Sequence, residues 1–332
     1  MTPSRRPLLR ALAAAALLAL TATAATSTLA QNFPDKPIRI VVPFSPGGGL
    51  DATARALGQG LTKRLGQPVI VENKPGGNGV IATSYVASAK PDGYTLYLCV
   101  TAPWSILPAL YKRPLGYDAT KDYTAVALVA EFQTVIFVNP KTRITTLKGY
   151  IDHARANPGK LSYSSTGTAQ PYTLATELIK SKAGIDILQV PFPGAAPAIQ
   201  AVVAGDVDSA MFDVGGSAPF IKADRLTPLA VLGKNRVPSL PEVPTVTEAG
   251  LTGVDLPMIW MGIVGPGGLP PAVVQKLNTE INAVLRSEEM ATMLAGQSLT
   301  PLPATPEQMD TQIKGDVRAW GGLIRQLGLQ LD

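Results

Sequence analysis

One cysteine and one histidine among 332 residues leave little material for thiol, triad or metal chemistry. Cys99 has no partner for an intrachain disulfide, and its apolar run, Tyr94 to Val100, marks it as a core residue rather than a reactive thiol. His153 stands mid-helix among charged neighbours in YIDHARANPG, which reads as a solvated face. A Ser-His-Asp triad or Cys-His pair would have to use that imidazole, and no G-x-S-x-G turn accompanies it. Zinc sites rich in His or Cys are excluded by composition, and no Walker glycine-lysine pattern occurs. Charged residues make up 16% of the chain and the net charge is +5, too small and too scattered for a nucleic-acid surface. No catalytic residue, metal or cofactor is therefore expected.

The first thirty residues read as a secretory leader. Arg5, Arg6 and Arg10 precede an Ala/Leu-rich run from Ala11 to Leu20, and small residues lead to an expected cleavage after Ala30. The arginine pair fits a twin-arginine signal and the apolar run fits Sec export equally. No cysteine occurs in residues 1–31, which excludes a lipid anchor at the cleavage site. Beyond the leader no segment approaches the roughly 20 apolar residues of a membrane span. Removing the leader lowers the charge to +2, and the remaining chain of about 300 residues favours two domains.

Short β-like runs alternate with helical ones, the pattern of parallel sheets covered by helices. Strands are expected at 38–42, 69–72, 95–100, 161–164, 187–190, 207–212 and 227–232. Helices are expected at 50–65, 79–89, 147–156, 172–182, 195–204 and 217–222, with a further helix started by Pro270-Pro271. In the first helix Leu50, Ala54, Leu57, Leu61 and Leu65 share one face and Gly66 ends it. Two adjacent apolar runs, AVALVA and TVIFVN, carry the chain from one domain to the other, and the run from Pro257 carries it back. Residues 31–130 plus 257–332 then form a discontinuous first lobe and 131–256 the second, with two crossings as a hinge.

The segment IRIVVPFSPGGGLDATA is the most informative. A strand ends in Pro43-Phe44, passes Ser45 and three glycines, Gly47, Gly48 and Gly49, and opens a helix at Leu50 or Asp51. The first N–H groups of a helix lack partners and carry partial positive charge, so such a turn cradles an anion. It holds no Lys or Arg, which points to a site made of backbone. Asp51 either charges its helix start or contacts a ligand. An echo occurs at residues 191–198, PFPGAAPA, after the strand IDILQV; if the domains share a topology, the two turns could face each other across a cleft. Ser164-Ser165-Thr166-Gly167-Thr168 is either a hydroxyl-rich helix cap or a carboxylate site, and Asp213, before Gly215-Gly216 where a βα turn should reach the cleft, either caps its turn or contacts a ligand. Gly77-Asn78-Gly79-Val80-Ile81-Ala82 matches a dinucleotide fingerprint only formally, since the acidic ribose partner is missing; it reads as a turn that lets a helix pack close. Glu288-Glu289 reads as surface.

Taken together, FPDKPIRIVVPFSPGGGLDATAR, LGQPVIVENKPGGNGVIA, AKPDGYTLYL, PGKLSYSSTGTA, VPFPGAAPAIQAVVAGDVDSAMFD, SLPEVPTVTEAGL and IWMGIVGPGGLP resemble, in order, the periplasmic substrate-binding proteins of tripartite tricarboxylate transporters, the Bug or TctC family. The resemblance covers essentially the whole mature chain. It implies a two-lobed α/β fold of the type II periplasmic binding protein kind, each lobe a mainly parallel sheet flanked by helices. It also implies a carboxylate held by backbone N–H groups of two opposed loops. Mapped onto this chain, those loops are Pro43 to Asp51, with Phe44, Ser45, Gly47, Gly48, Gly49 and Asp51, and Ser164 to Gln170, with Ser165, Thr166, Gly167, Thr168 and Gln170. Turns at Thr101, Phe192 to Gly194 and Asp213 would complete the pocket. The chain departs from the family pattern at Ala169, Gln170 and Thr173, where a glycine, a threonine and a histidine are usual. Trp104 and Tyr172 offer either an aromatic wall or core packing.

The function implied is a non-enzymatic periplasmic receptor that captures a small mono-, di- or tricarboxylate, aromatic acids included, and delivers it to membrane permease subunits. A monomer is expected, without nucleic-acid partner or membrane anchor. The alternatives are a ligand sensor for a membrane kinase and an enzyme acting on a carboxylated substrate through Asp51 or Asp213.

Overall fold

The computed structural model describes residues 33–254 and 256–331; the expected leader at 1–30 lies outside the described residues. Strand β1 (Ile38–Val42) buries four of its five side chains, as its apolar sequence requires. Through the loop 43–48 it leads to α1 (Gly49–Leu65), which buries Ala54, Leu57 and Leu61 and ends on left-handed Gly66, whose N–H reaches the Thr62 carbonyl. The chain continues through β2 (Val69–Asn73), α2 (Val80–Ala87) and β3 (Thr95–Val100) to a π-helical turn, Ala102–Ile106, and the short α3 (Leu107–Leu110).

Strand β4 (Tyr123–Phe132) passes through Gln133 directly into β5 (Thr134–Val138). There follow α4 (Leu147–Ala156), β6 (Ser162–Ser165), α5 (Pro171–Ala183), β7 (Leu188–Pro191), α6 (Ala195–Ala204), β8 (Ser209–Asp213), α7 (Val214–Lys222) and β9 (Thr227–Leu232). The return leads to β10 (Trp260–Pro266), α8 (Pro271–Leu285), α9 (Glu288–Gly296), β11 (Leu299–Pro301) and α10 (Pro306–Gln326).

Two sheets result, with strand orders β11-β4-β10-β3-β1-β2 and β7-β6-β8-β5-β9. The two-lobed α/β fold is therefore present. Parallel pairing holds within β2-β1-β3 and within β7-β6-β8. The sheets are mixed rather than mainly parallel: β10 runs antiparallel to both β3 and β4, and β5 antiparallel to both β8 and β9. The reason lies in the crossings. A strand entering a sheet from the other lobe arrives from the end at which the local βα strands finish, and so runs against them.

Ile40, Leu57, Leu98, Ile263 and Leu277 belong to the first lobe's main core. In the second lobe Phe137, Phe212 and Val202 pack on one side of the sheet and Ile136, Tyr163 and Met211 on the other. A further apolar cluster joins the lobes, with Leu174 and Leu178 of α5 against Ala102, Ile106 and Trp320. Burying side chains of this size stabilises by about 1.5–3 kcal/mol each.

Candidate binding cleft

A cavity of about 510 Å³ opens between the sheets where their parallel strands end. From the first lobe it is lined by Phe44, Gly49 and Leu50 at the start of α1, by Val100, Thr101 and Ala102 after β3, and by Gly296, Gln297 and Leu299. The second lobe contributes Gln170, Pro171 and Tyr172 at the start of α5 and Asp213, Gly215 and Gly216 at the start of α7. Phe132 and Ile259, on the crossings, form the floor.

Three helices, of 17, 13 and 9 residues, thus point their N-termini into one space, and no Lys or Arg lines it. Unpaired N–H groups and partial positive charge converge there, enough to hold an anion without a buried ion pair. The remaining wall is apolar and aromatic.

Among the residues expected from sequence, Phe44, Gly49, Thr101, Gln170 and Asp213 line the cavity. Thr101 is buried with its hydroxyl between the Trp260 N–H, at 3.1 Å, and the Trp260 carbonyl, at 3.4 Å. Asp213 accepts the Gly216 N–H at 2.7 Å and caps α7 while also lining the cleft; burial pushes its carboxyl above the usual carboxylate range, an effect eased by that N–H. The capping reading of Asp213 is observed, and the same side chain lines the cavity.

Ser45, Gly47, Gly48 and Asp51 are outside the cavity lining; the first three are exposed and Asp51 is buried. The Asp51 carboxylate accepts from Arg55 Nε at 3.0 Å, from the Gly47 N–H at 3.0 Å and from Asn73 Nδ2 at 2.9 Å. The Arg55 hydrogen bond, then that of Gly47, lowers its pKa to about 2 against the opposing effect of burial. Its side chain is committed to bracing the loop. Gly47 has φ +90°, a conformation that favours glycine.

In the opposing loop Ser165, Thr166, Gly167 and Thr168 also lie outside the lining. Ser165 accepts from Gln189 Nε2 at 2.7 Å, and its carbonyl accepts the Phe192 N–H at 2.8 Å. Phe192 packs on the second lobe's core and Gly194 caps α6, so the turn expected to face Gly47–Gly49 does not reach the cavity. It follows β7, an edge strand, and the sheet order keeps it away from the cleft.

Of the two proposed aromatic wall residues, Tyr172 lines the cavity, edge-on to Phe212 at 5.6 Å. Trp104 is fully buried against Tyr123 and Tyr97 and belongs to the core. Cys99 is likewise buried, its thiol directed at the Gly262 carbonyl and its pKa raised by burial. His153 is exposed on α4. At Gly79 a Cβ would lie 3.1 Å from Pro103 and 3.3 Å from Pro43, so the glycine turn of 77–79 serves close packing against the cleft loops.

Sequence reasoning missed Gln297. It ends α9 in the first lobe, and its carbonyl oxygen lies 2.1 Å from where a Cβ on Gly215 of the second lobe would be. Its side-chain Oε1 lies 2.8 Å from the corresponding position on Gly49. The two lobes touch here, beside the outgoing crossing: Leu299 pairs with Phe132, and the Val214 N–H donates to the Gln133 carbonyl at 2.8 Å. No local motif signals a contact between residues 82 positions apart, although the bare Gly215-Gly216 pair was visible.

A sequence model described as the tripartite tricarboxylate transporter family receptor matches residues 53–329. The chain is 32% identical over 323 residues to the protein BugT of Bordetella pertussis, covering 97% of this chain and 98% of that one. Among solved structures, Rpa4515 of R. palustris, determined with adipate, is 30% identical with a TM-score of 0.81 and covers 90% of this chain and 99% of its own. MatC of Rhodopseudomonas palustris, with bound malate, is 28% identical with a TM-score of 0.76 over 88% of this chain and 100% of its own. A cleft walled by helix starts and similarity along nearly the full length agree: the chain belongs to the receptor family of the tripartite tricarboxylate transporters.

Proposed function

We propose that the protein is a periplasmic receptor that encloses a small organic acid and presents it, in the closed form, to membrane permease subunits. The observation that carries this reading is the convergence of the α1, α5 and α7 N-termini on a cavity without a basic side chain. One ligand carboxylate sits at the helix starts, held by backbone N–H groups and bridging water. Its apolar body rests on Phe44, Phe132 and Tyr172, a wall that suits an aromatic or long-chain acid. The adipate and malate bound by Rpa4515 and MatC support the carboxylate class.

Export through the leader and cleavage after Ala30 deliver the receptor to the periplasm. There it acts as a monomer and without catalysis, its lobes of 31–130 plus 257–332 and of 131–256 closing about the two crossings. Isothermal titration with mono-, di- and tricarboxylates and with aromatic acids tests the reading. Saturable binding of at least one class, abolished by methyl-esterification of the acid, is expected; failure of every acid to bind or to raise the melting temperature overturns it.

A further inference from the structure

The three helix starts at the cleft are not alike. No side chain caps α1 after Gly48 or α5 after Gln170, whereas Asp213 accepts the Gly216 N–H and caps α7. Two starts therefore meet the cavity with open donors and partial positive charge, and the third brings a carboxylate of its own. An acid group is welcome at α1 and α5. At α7 it would meet a like charge.

Asp213 is poorly supported by the rest of the chain. No Lys, Arg or His lines the cavity, and no ion pair reaches this side chain among the described residues. Burial raises its pKa; the Gly216 N–H and its own N–H oppose that effect, and no cation takes part. The Gly216 bond engages Oδ1 and leaves Oδ2 without a donor from another described residue. Other acidic side chains of low exposure are served from within: Asp51 by Arg55, Asn73 and the Gly47 N–H, and Asp316 by Trp260 and Gln312.

A ligand that fills the cleft takes water away from Asp213. A carboxylate deprived of water without a partner is costly, so a favoured occupant brings a donor with it. The surroundings suit such an occupant. Tyr172 is close enough that the Asp213 charge, after burial, raises its pKa, so the apolar wall and the carboxylate adjoin. The Gln170 side chain also has no hydrogen bond from the described residues, and it follows β6, the strand next to β8.

We propose that Asp213 is a specificity-determining residue: the ligand is an acid that also bears a hydrogen-bond donor, an ammonium or a hydroxyl, which Asp213 accepts while the acid group lies at the starts of α1 and α5. This rests on the acid-receptor reading and narrows it. A plain monocarboxylate brings a second negative charge and leaves Asp213 enclosed without a partner, and a site with an unpaired polar group rejects the analogue that lacks the match.

Titration calorimetry at neutral pH on the mature chain compares acids of matched shape. One series is 4-methyl-, 4-(hydroxymethyl)- and 4-(aminomethyl)benzoate, with the donor far from the acid group. The other is 3-phenylpropionate, 3-phenyllactate and phenylalanine, with the donor beside it. In at least one series a donor-bearing acid is expected to bind about tenfold or more tighter than its plain counterpart. Asp213→Asn and Asp213→Ser both keep a residue able to cap α7 and remove the charge. Each is expected to cut that preference about tenfold or more, with a ligand-free melting temperature close to that of the wild type. Equal affinities within both series overturn the donor requirement, as does a preference that survives both substitutions, which leaves Asp213 a cap only. If no acid binds, plain or donor-bearing, the acid-receptor reading falls and takes the donor requirement with it. A plain acid that binds as well as its donor-bearing partners defeats the donor requirement alone.

Discussion

The two lobes carry the same sheet twice: β2-β1-β3-β10-β4 in one and β7-β6-β8-β5-β9 in the other, with matching directions. The counterpart of β1 is therefore β6, not β7. The Pro-Phe-glycine turn at residues 191–194, which looks like that at 43–49, follows the counterpart of β2 and stands one βα unit out of place. What matches in position is the loop after Ser165, with little likeness in sequence. Place in the sheet, not local spelling, decides which turn borders the cavity.

The matched loops are braced differently. Behind β1 the brace is ionic, an Asp51 carboxylate shared by Arg55, Asn73 and the Gly47 N–H. Behind β6 it is neutral, with Gln189 donating to Ser165. One jaw is thereby sensitive to acid and the other is not.

The largest effect expected from breaking this comparison is that of Gly215→Leu. Its side chain would collide with the Gln297 carbonyl and hold the lobes apart, lowering affinity by about a hundredfold or more in titration calorimetry with little change in melting temperature. Gly194→Ala, in the misplaced turn, is expected to change affinity less than about twofold, since its Cβ would meet only Pro197 at 3.8 Å. Equal losses from the two would erase the distinction between the turns.

Next comes Asp51→Ala, which strips the ionic brace and is expected to cost about 1–3 kcal/mol in urea unfolding. The wild type's advantage over this variant is full above the unfolded carboxylate pKa near 3.8 and is lost as pH falls toward about 2, because the folded-state pKa is depressed. Gln189→Ala, in the neutral brace, should show no such pH window.

Asp213→Asn keeps the cap and removes a like charge from the cleft. Affinity for a monocarboxylate is expected to rise severalfold at neutral pH. In the wild type, affinity should itself rise as pH falls from neutrality toward 4, because the raised pKa lets Asp213 take up its proton early, and the Asn variant should lack that slope.

The smallest effect separates the lobes by stability alone. Asp316, buried in the first lobe, has a pKa raised by burial to about 6. The folded state then holds a proton that the unfolded chain has released, so wild-type stability declines as pH rises from about 4 to about 6. Thermal melts of Asp316→Asn across that range should be flatter.

Much of the fold was legible because βα units announce themselves by period and punctuation. Strands β1 and β3 and helices α4 and α6 fall at the expected residues, since apolar runs and glycine stops fix them locally. The strand directions were not legible: β10 and β5 read like any buried strand, and only the crossing topology turns them antiparallel. In the cleft, Phe44, Gly49 and Asp213 follow from standing after strand ends, whereas Thr101 and Gln170 came only with the family resemblance. Asp51 read as a charge at its helix start or as a ligand contact until Arg55 and Asn73 came into view. Gln297 depended on how the two lobes meet beside the crossing, which is a property of both at once.

The absence of basic side chains from the cleft lining bears on how the proposed receptor would meet an acid. Helix starts act over a turn or so, and enclosed dipoles are poorly screened by salt. With no lysine or arginine lining the cleft, little long-range field draws an acid inward. Capture should therefore proceed at an ordinary diffusional rate and hold nearly constant between dilute and concentrated salt, a useful property in a compartment whose ionic strength follows the surroundings of the cell.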